Sequence, residues 1–260
     1  MPKFSANLGF LWTELPLLER IDAAAKAGFR AVELHFPYAT PPEEVRAACA
    51  RNNLTLLGIN TDVGSGAGLH SGLGALPGRE QEFQALIDQS VGWCHAAGGT
   101  SVHAMAGIVP EHDRAAAEGV FIANLKQAAP KAAERGLTLL LEPINQRNMP
   151  GYFYSSIEKA AEIIAAVGAP NVKIMFDVYH VGVSQGDIIT RLRKHFDLIG
   201  HVQLAAVPSR AEPDEGEVAY RAIFDEIDKL GWAGWVGCEY RPRAGTDEGL
   251  TWTRTLGVTL

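Results

Sequence analysis

Cysteine is scarce in this chain: Cys49, Cys94 and Cys238 are scattered singly through 260 residues. That excludes a disulfide framework or a zinc knuckle, and the three read as small buried hydrophobes. Cys238 adjoins Glu239 in an apparent strand, so it points away from any site that Glu239 faces and has no base beside it. Positive charge is also short, with 23 Lys+Arg against 30 Asp+Glu and a formal net charge of −7. A surface of that sign argues against nucleic acid as a partner, and an anionic ligand would need cations gathered locally. No apolar run reaches membrane-spanning length, and the opening Met-Pro-Lys-Phe-Ser-Ala-Asn lacks the basic and apolar stretch of a signal peptide. The expectation is a cytoplasmic protein without membrane contact. A linker is missing too, since no Pro-rich, Ser-rich or charged stretch divides the chain. At 260 residues it has the size of a single (β/α)8 barrel, about 250 residues, and one domain over 1–260 is expected.

What is present is alternation. Apolar runs of strand length fall at 3–8, 31–34, 54–59, 101–104, 138–142, 173–177, 199–204 and 236–239. Amphipathic segments at 15–27, 42–51, 79–97, 113–135, 156–167, 188–195, 217–230 and 247–256 read as helices between them. Gly28, Gly136, Gly168 and Gly231 stand where helices stop, and Pro130 should kink or split the fourth helix.

Eight parallel strands fit an open doubly wound sheet or a closed α/β TIM barrel, and the polar residues decide between them. Glu142, Asp177, Gln203 and Glu239 each close an apolar run on one of the last four strands. An open sheet gathers ligands at one switch point, whereas a barrel brings the carboxyl ends of all strands to one face. Three carboxylates meeting there repel unless a cation or shared protons compensate, and an all-oxygen set suits Mg²⁺ or Mn²⁺. His180 follows Asp177 by three residues, so one turn presents both to the cavity, where the imidazole can hydrogen-bond a substrate oxygen or serve structure alone. His201 lies two before Gln203 on the same face, a layer deeper. Arg210 either holds an anionic substrate bidentately or pairs with Glu212, Asp214 or Glu215 of its own loop. The Gly-rich stretch 63–79 lacks a phosphate-binding fingerprint and reads as a mobile lid over the barrel mouth.

The stretches Phe4-Ser-Ala-Asn-Leu, Val32-Glu-Leu-His-Phe-Pro-Tyr, Gly74-Ala-Leu-Pro-Gly-Arg, Leu141-Glu-Pro-Ile-Asn, Gly200-His-Val-Gln-Leu-Ala and Val236-Gly-Cys-Glu-Tyr, in that order, resemble the hydroxypyruvate isomerase family of xylose-isomerase-like TIM barrels. The resemblance covers nearly the whole chain. It implies Glu142, Asp177, Gln203 and Glu239 as metal ligands, Glu142 and Glu239 as an acid/base pair, and His180 and Arg210 as substrate contacts. The implied reaction interconverts hydroxypyruvate and tartronate semialdehyde through an enediolate, within carbohydrate and glyoxylate metabolism. The implied partner is a small anionic hydroxy-oxo acid, and assembly into a homo-oligomer is left open. A 2-oxo-tetronate isomerase, a ketose 3-epimerase and a non-catalytic sugar-acid binding protein are the alternatives. Ketose 3-epimerases resemble the chain at Glu142, Asp177 and Glu239 but have His where Gln203 stands. Leu69 and His70 in the lid, and Asn148, occupy positions that are acidic in relatives.

Overall fold

The computed structural model describes residues 1–64 and 71–260. Among them, strands β1 (Lys3–Asn7), β2 (Ala31–Glu33), β3 (Thr55–Leu56), β4 (Gly58–Asn60), β5 (Ser101–His103), β6 (Thr138–Leu141), β7 (Val172–Asp177), β8 (Ile199–Leu204) and β9 (Trp235–Cys238) form one parallel sheet ordered β3-β2-β1-β9-β8-β7-β6-β5-β4. The two ends of that order are neighbours in sequence. β3 and β4 are the expected third strand divided at Leu57. Its first half pairs with β2 and its second with β5, and Leu34 N donates to Gly58 O at 2.9 Å while Thr100 N donates to Leu57 O at 3.0 Å. The ring therefore closes through one strand that changes partner midway, giving the eight-stranded TIM barrel expected from the sequence.

The helices α1 (Leu17–Ala27), α2 (Pro42–Arg51), α3 (Glu80–Ala97), α4 (Arg114–Ala133), α5 (Ile157–Val167), α6 (Val178–Ser184), α7 (Ile188–His195), α8 (Tyr220–Lys229), α9 (Thr246–Gly249) and α10 (Trp252–Thr255) connect the strands. α1 and α5 stop on Gly28 and Gly168, whose φ of 111° and 74° is left-handed backbone that glycine adopts without a Cβ clash. Three helical details differ from expectation. Pro130 does not split α4, because it falls in the last turn and Glu134 N still bonds to Pro130 O at 2.9 Å. The turn after β7 is a helix, α6, and the last expected helix is two short pieces, α9 and α10.

The core is one cluster running from Phe4 through Phe83, Phe121 and Phe176 to Trp252. Outward-facing strand residues such as Val32, Val102 and Val236 are buried against helices, as a barrel covered all round requires. The three cysteines are buried and free. No helix among the described residues is long and apolar enough to cross a membrane. Residues 65–70, including Leu69 and His70, lie outside the described residues, and with them the central part of the expected lid. Residues 72–75 are bound to the loop after β5: Gly72 bridges Ala106, and Ala75 N donates to Ala106 O at 2.7 Å. A Cβ on Gly72 would meet Met105 Cβ at 2.4 Å, so the close approach of these two loops needs glycine there.

Candidate active site

Each strand-end residue reaches the carboxyl face of the barrel for a local reason. Glu142 is the first residue past β6, and Glu239 the first past β9. Asp177 ends β7 and caps α6, its Oδ1 accepting from Tyr179 N at 2.8 Å. Gln203 is register partner to Asp177 on one side and Gly237 on the other. His180 enters from the first turn of α6, and Arg210 from the loop after β8 with a left-handed φ of 59°. That conformation is costly for a non-glycine residue, and bonds from Arg210 N to Ala206 O (2.7 Å) and from Arg241 N to Arg210 O (2.8 Å) hold it.

Glu142, Asp177 and His180 bring ligand atoms within 4.8 Å of one another, a spacing one metal ion can bridge. His180 Nε2 lies 3.7 Å from Glu142 Oε1 and 3.6 Å from Asp177 Oδ2. Its Nδ1 receives the backbone N–H of Asn145 at 3.1 Å. A backbone amide only donates, so Nδ1 carries the lone pair and neutral His180 carries its hydrogen on Nε2, aimed between the two carboxylates. Burial, with Arg210 adding to it, holds the imidazole down at about 3, so it is neutral at ordinary pH. His180 is therefore a hydrogen-bond donor into the site, and the cation-binding atoms left are oxygens.

Those oxygens lack partners. Glu142 Oε1, Asp177 Oδ2 and Gln203 Oε1 are buried with no hydrogen bond to the described residues. Buried acceptors without partners are costly, and these three lack a partner that the described residues could supply. A set of two carboxylate oxygens and an amide oxygen fits a hard divalent cation.

The fourth expected donor stands differently. Glu239 Oε1 accepts from Arg210 Nη2 at 3.0 Å and lies 3.5 Å from His35 Nε2. The Arg210 guanidinium is flanked by the rings of Phe10 and Tyr179, 4.8 and 5.0 Å from their centroids. Its loop acids are held by Arg243 instead, which pairs with Glu212, Asp214 and Glu215. The result is two carboxylates of opposite character. Burial pushes the Glu142 carboxyl well up, reinforced by Glu239 and Asp177. Burial acts on Glu239 in the same direction, but the bond to His35 and the Arg210 charge outweigh it and hold that carboxyl below its ordinary range.

Glu142, Glu239, His180 and Arg210 line a cavity of about 240 Å³ that opens at the barrel mouth, walled by Phe10, Phe36 and Met149. Three further groups there were missed from sequence. His35 braces Glu239; His103, whose Nδ1 lies 3.6 Å from Glu142 Oε2, is held neutral by burial at about 4. Arg241 lines the cavity with no ion pair to the described residues. His103 gave no strand-end signal in the sequence, since Thr100 and Ser101 precede it and Ala104, Met105 and Ala106 continue the apolar stretch after it. Asn148 accepts from Tyr179 Oη at 2.7 Å at the rim.

Glu33 is the fourth omission. It ends β2, buried, and crosses the barrel interior: Ser5 Oγ donates to its Oε1 at 3.1 Å, while its Oε2 takes Gln203 Nε2 at 2.8 Å and faces His201 Nε2 at 3.0 Å. Gly237 makes room for this reach, for a Cβ there would stand 2.0 Å from Glu33 Oε1. His201 sits beneath the site, as expected; burial lowers its proton affinity, but Glu33, Glu239 and Asp177 outweigh burial and the net shift is upward.

The family model of the xylose isomerase-like TIM barrel matches residues 21–256. The chain is similar to the 2-oxo-tetronate isomerase of Cupriavidus necator, 45% identical over 255 residues that cover 98% of each chain. It is also similar to the hydroxypyruvate isomerase of Escherichia coli, 35% identical over 253 residues covering 97% of this chain and 98% of that one. A solved structure described as an AP endonuclease, family 2, from Brucella melitensis matches with a TM-score of 0.94 at 42% identity over 98% of both chains.

Proposed function

The chain belongs to the xylose isomerase-like TIM-barrel family, and from that premise we propose that it is an aldose–ketose type isomerase of a short hydroxy-oxo acid, interconverting hydroxypyruvate and tartronate semialdehyde. The observation that carries this reading is the pair Glu142 and Glu239, which line one cavity with proton affinities shifted in opposite directions. Groups pushed apart in this way are suited to acid and base roles.

Glu239, held ionised, removes the proton from the hydroxyl-bearing carbon C3, leaving an enediolate over C2 and C3. Glu142 returns a proton to C2, and the hydroxyl proton passes from the C3 oxygen to the C2 oxygen, so C3 becomes the aldehyde. His180 donates its Nε2–H to the oxygen where charge develops. The substrate carboxylate finds Arg210 and Arg241 at the cavity wall. A carboxylate that engages Arg210 draws its charge from Glu239, raises the proton affinity of Glu239 and so makes it a better base. Glu142, Asp177, Gln203 and Glu239 are the residues that would hold Mg²⁺ or Mn²⁺, which when bound supplies positive charge against the developing oxyanion.

A second substrate, 2-oxo-tetronate, is favoured by the 45% identity to the Cupriavidus necator protein. The cavity of about 240 Å³ leaves room for one carbon more. The same acid/base pair would serve it.

Proton NMR in deuterated water with hydroxypyruvate, 2-oxo-tetronate and tagatose, each with Mg²⁺, Mn²⁺ or chelator, tests the reading. Tartronate semialdehyde carrying solvent deuterium is the expected product. Turnover of 2-oxo-tetronate alone would move the assignment to the longer acid, turnover of tagatose would make the protein an epimerase, and ligand binding without exchange would remove the catalytic reading.

A further inference from the structure

The geometry points to Glu33 as the positioning residue of the cation site, acting through Gln203. This rests on the reading of Glu142, Asp177 and Gln203 as cation donors and goes beyond it. An amide at the end of a strand can turn either its oxygen or its NH₂ toward a cavity, and only the oxygen binds a cation. Nothing in the Gln203 side chain itself makes that choice. Glu33 makes it: its Oε2 accepts from Gln203 Nε2 at 2.8 Å, which leaves Oε1 as the amide atom that is buried and without a partner, on a residue whose register neighbour is Asp177.

The arrangement is built to hold Glu33 in place. Ser5 Oγ donates to the other oxygen of Glu33, and His201, on the same face of β8 as Gln203, approaches Oε2 from the layer below. Ser5 and Gly237 are register partners on β1 and β9, the two strands that separate β2 from β8. Both are small, and Gly237 has no Cβ to block the carboxylate. Glu33 therefore spans two strands to fix the orientation of a residue on a third. Outer-shell partners of this kind typically set metal affinity by 10–100-fold when removed.

The test is a titration with Mn²⁺ alone, the unbound ion followed by electron paramagnetic resonance, on the full chain and on Glu33→Gln, Glu33→Asp, Gln203→Ala and the two double variants, with circular dichroism to verify folding. Glu33→Gln keeps the size and removes the charge; Glu33→Asp keeps the charge and withdraws it from Gln203. Both should weaken Mn²⁺ binding by roughly 10–100-fold, and neither should weaken it further once Gln203 is Ala, because the bond they disturb is then gone. Wild-type affinity in Glu33→Asp would mean that charge alone matters, and an undiminished loss in the Gln203→Ala background would mean that Glu33 does not act through the amide; either overturns the proposal. If Glu33→Gln does not fold, Glu33→Asp carries the same comparison. Absence of Mn²⁺ binding by the unaltered protein would instead overturn the cation reading from which the proposal starts.

Discussion

Arg210 Nη2 donates to Glu239 Oε1 at 3.0 Å, and the guanidinium lies between Phe10 and Tyr179. Against burial, the bond to His35 and this contact together hold the Glu239 carboxyl below its ordinary range. In Arg210→Gln the ionised form of Glu239 loses its strongest cationic neighbour, so its proton affinity rises. The acid limb of the pH profile of kcat/KM should move to higher pH, and kcat/KM should fall by about two orders of magnitude or more. An unmoved acid limb would show that Glu239 is not the group titrating there.

Glu142→Gln and Glu239→Gln keep the shape of the side chain and remove its proton chemistry. Each should slow the exchange of substrate carbon-bound hydrogen with solvent by about 10²–10⁴-fold while the melting temperature stays near that of the unaltered protein. NMR of deuterium uptake reads the first and circular dichroism the second. A variant that still exchanges near the normal rate takes its residue out of the acid/base pair.

In chelator, Asp177 should contribute a pH-dependent stability of definite sign. Burial raises its carboxyl from the ordinary value to about 7, so the folded state binds that proton more tightly than the unfolded chain. Its contribution is then full below the ordinary carboxylate range and is lost as pH rises towards about 7. His103 and His180, held neutral by burial, act in the opposite sense over the acidic part of that window, so the comparison is with Asp177→Asn. Relative to that variant the unaltered protein should lose melting temperature as pH rises through the window, and saturating Mg²⁺ or Mn²⁺ should reverse the loss. A difference between the two proteins that does not change with pH would contradict the shift.

Gly237→Ala introduces a methyl group 2.0 Å from Glu33 Oε1 and 3.0 Å from Gln203 Cγ. Glu33 is bonded at both oxygens and has no free direction to move. Denaturant unfolding should show a loss of about 1–3 kcal/mol, the usual cost of overpacking. The loss should shrink when Glu33 is also shortened to Ala, since the methyl then has space.

Arg241 offers a simpler expectation. It lines the cavity without an ion pair among the described residues, whereas the charge of Arg210 already faces Glu239. Arg241→Gln should raise KM for a carboxylate substrate by up to about fivefold, the range of an exposed charge contact, with kcat little changed. Steady-state kinetics at two salt concentrations would check it, because the effect should weaken at high salt.

The barrel and the four polar residues at its strand ends were legible because each of them interrupts an apolar run at the point where a parallel strand must end. The division of the third strand at Leu57 was not, for it arises from ring closure, which periodicity does not encode. α6 escaped because Val178–Ser184 is short and mostly apolar, and its start is set by the Asp177 cap. Glu33 ends an apolar run just as Glu142 and Glu239 do, but β2 is only three residues long and Leu34 continues the apolar character. Its importance lies in contacts with Ser5, His201 and Gln203, 28, 168 and 170 residues away. Distances of that kind become visible only when the strands are arranged around the ring.

The reach of Glu33 across β1 and β9 has a consequence for how the chain is partitioned. Glu142, Asp177, Gln203 and Glu239 all belong to the second half of the sequence, and a half-barrel starting at β6 would carry every oxygen donor proposed above. It would not carry the acceptor that turns Gln203, nor the hydroxyl that anchors that acceptor, because both lie within the first 33 residues. The donor inventory is local to one half of the molecule, while its orientation is a property of the closed ring.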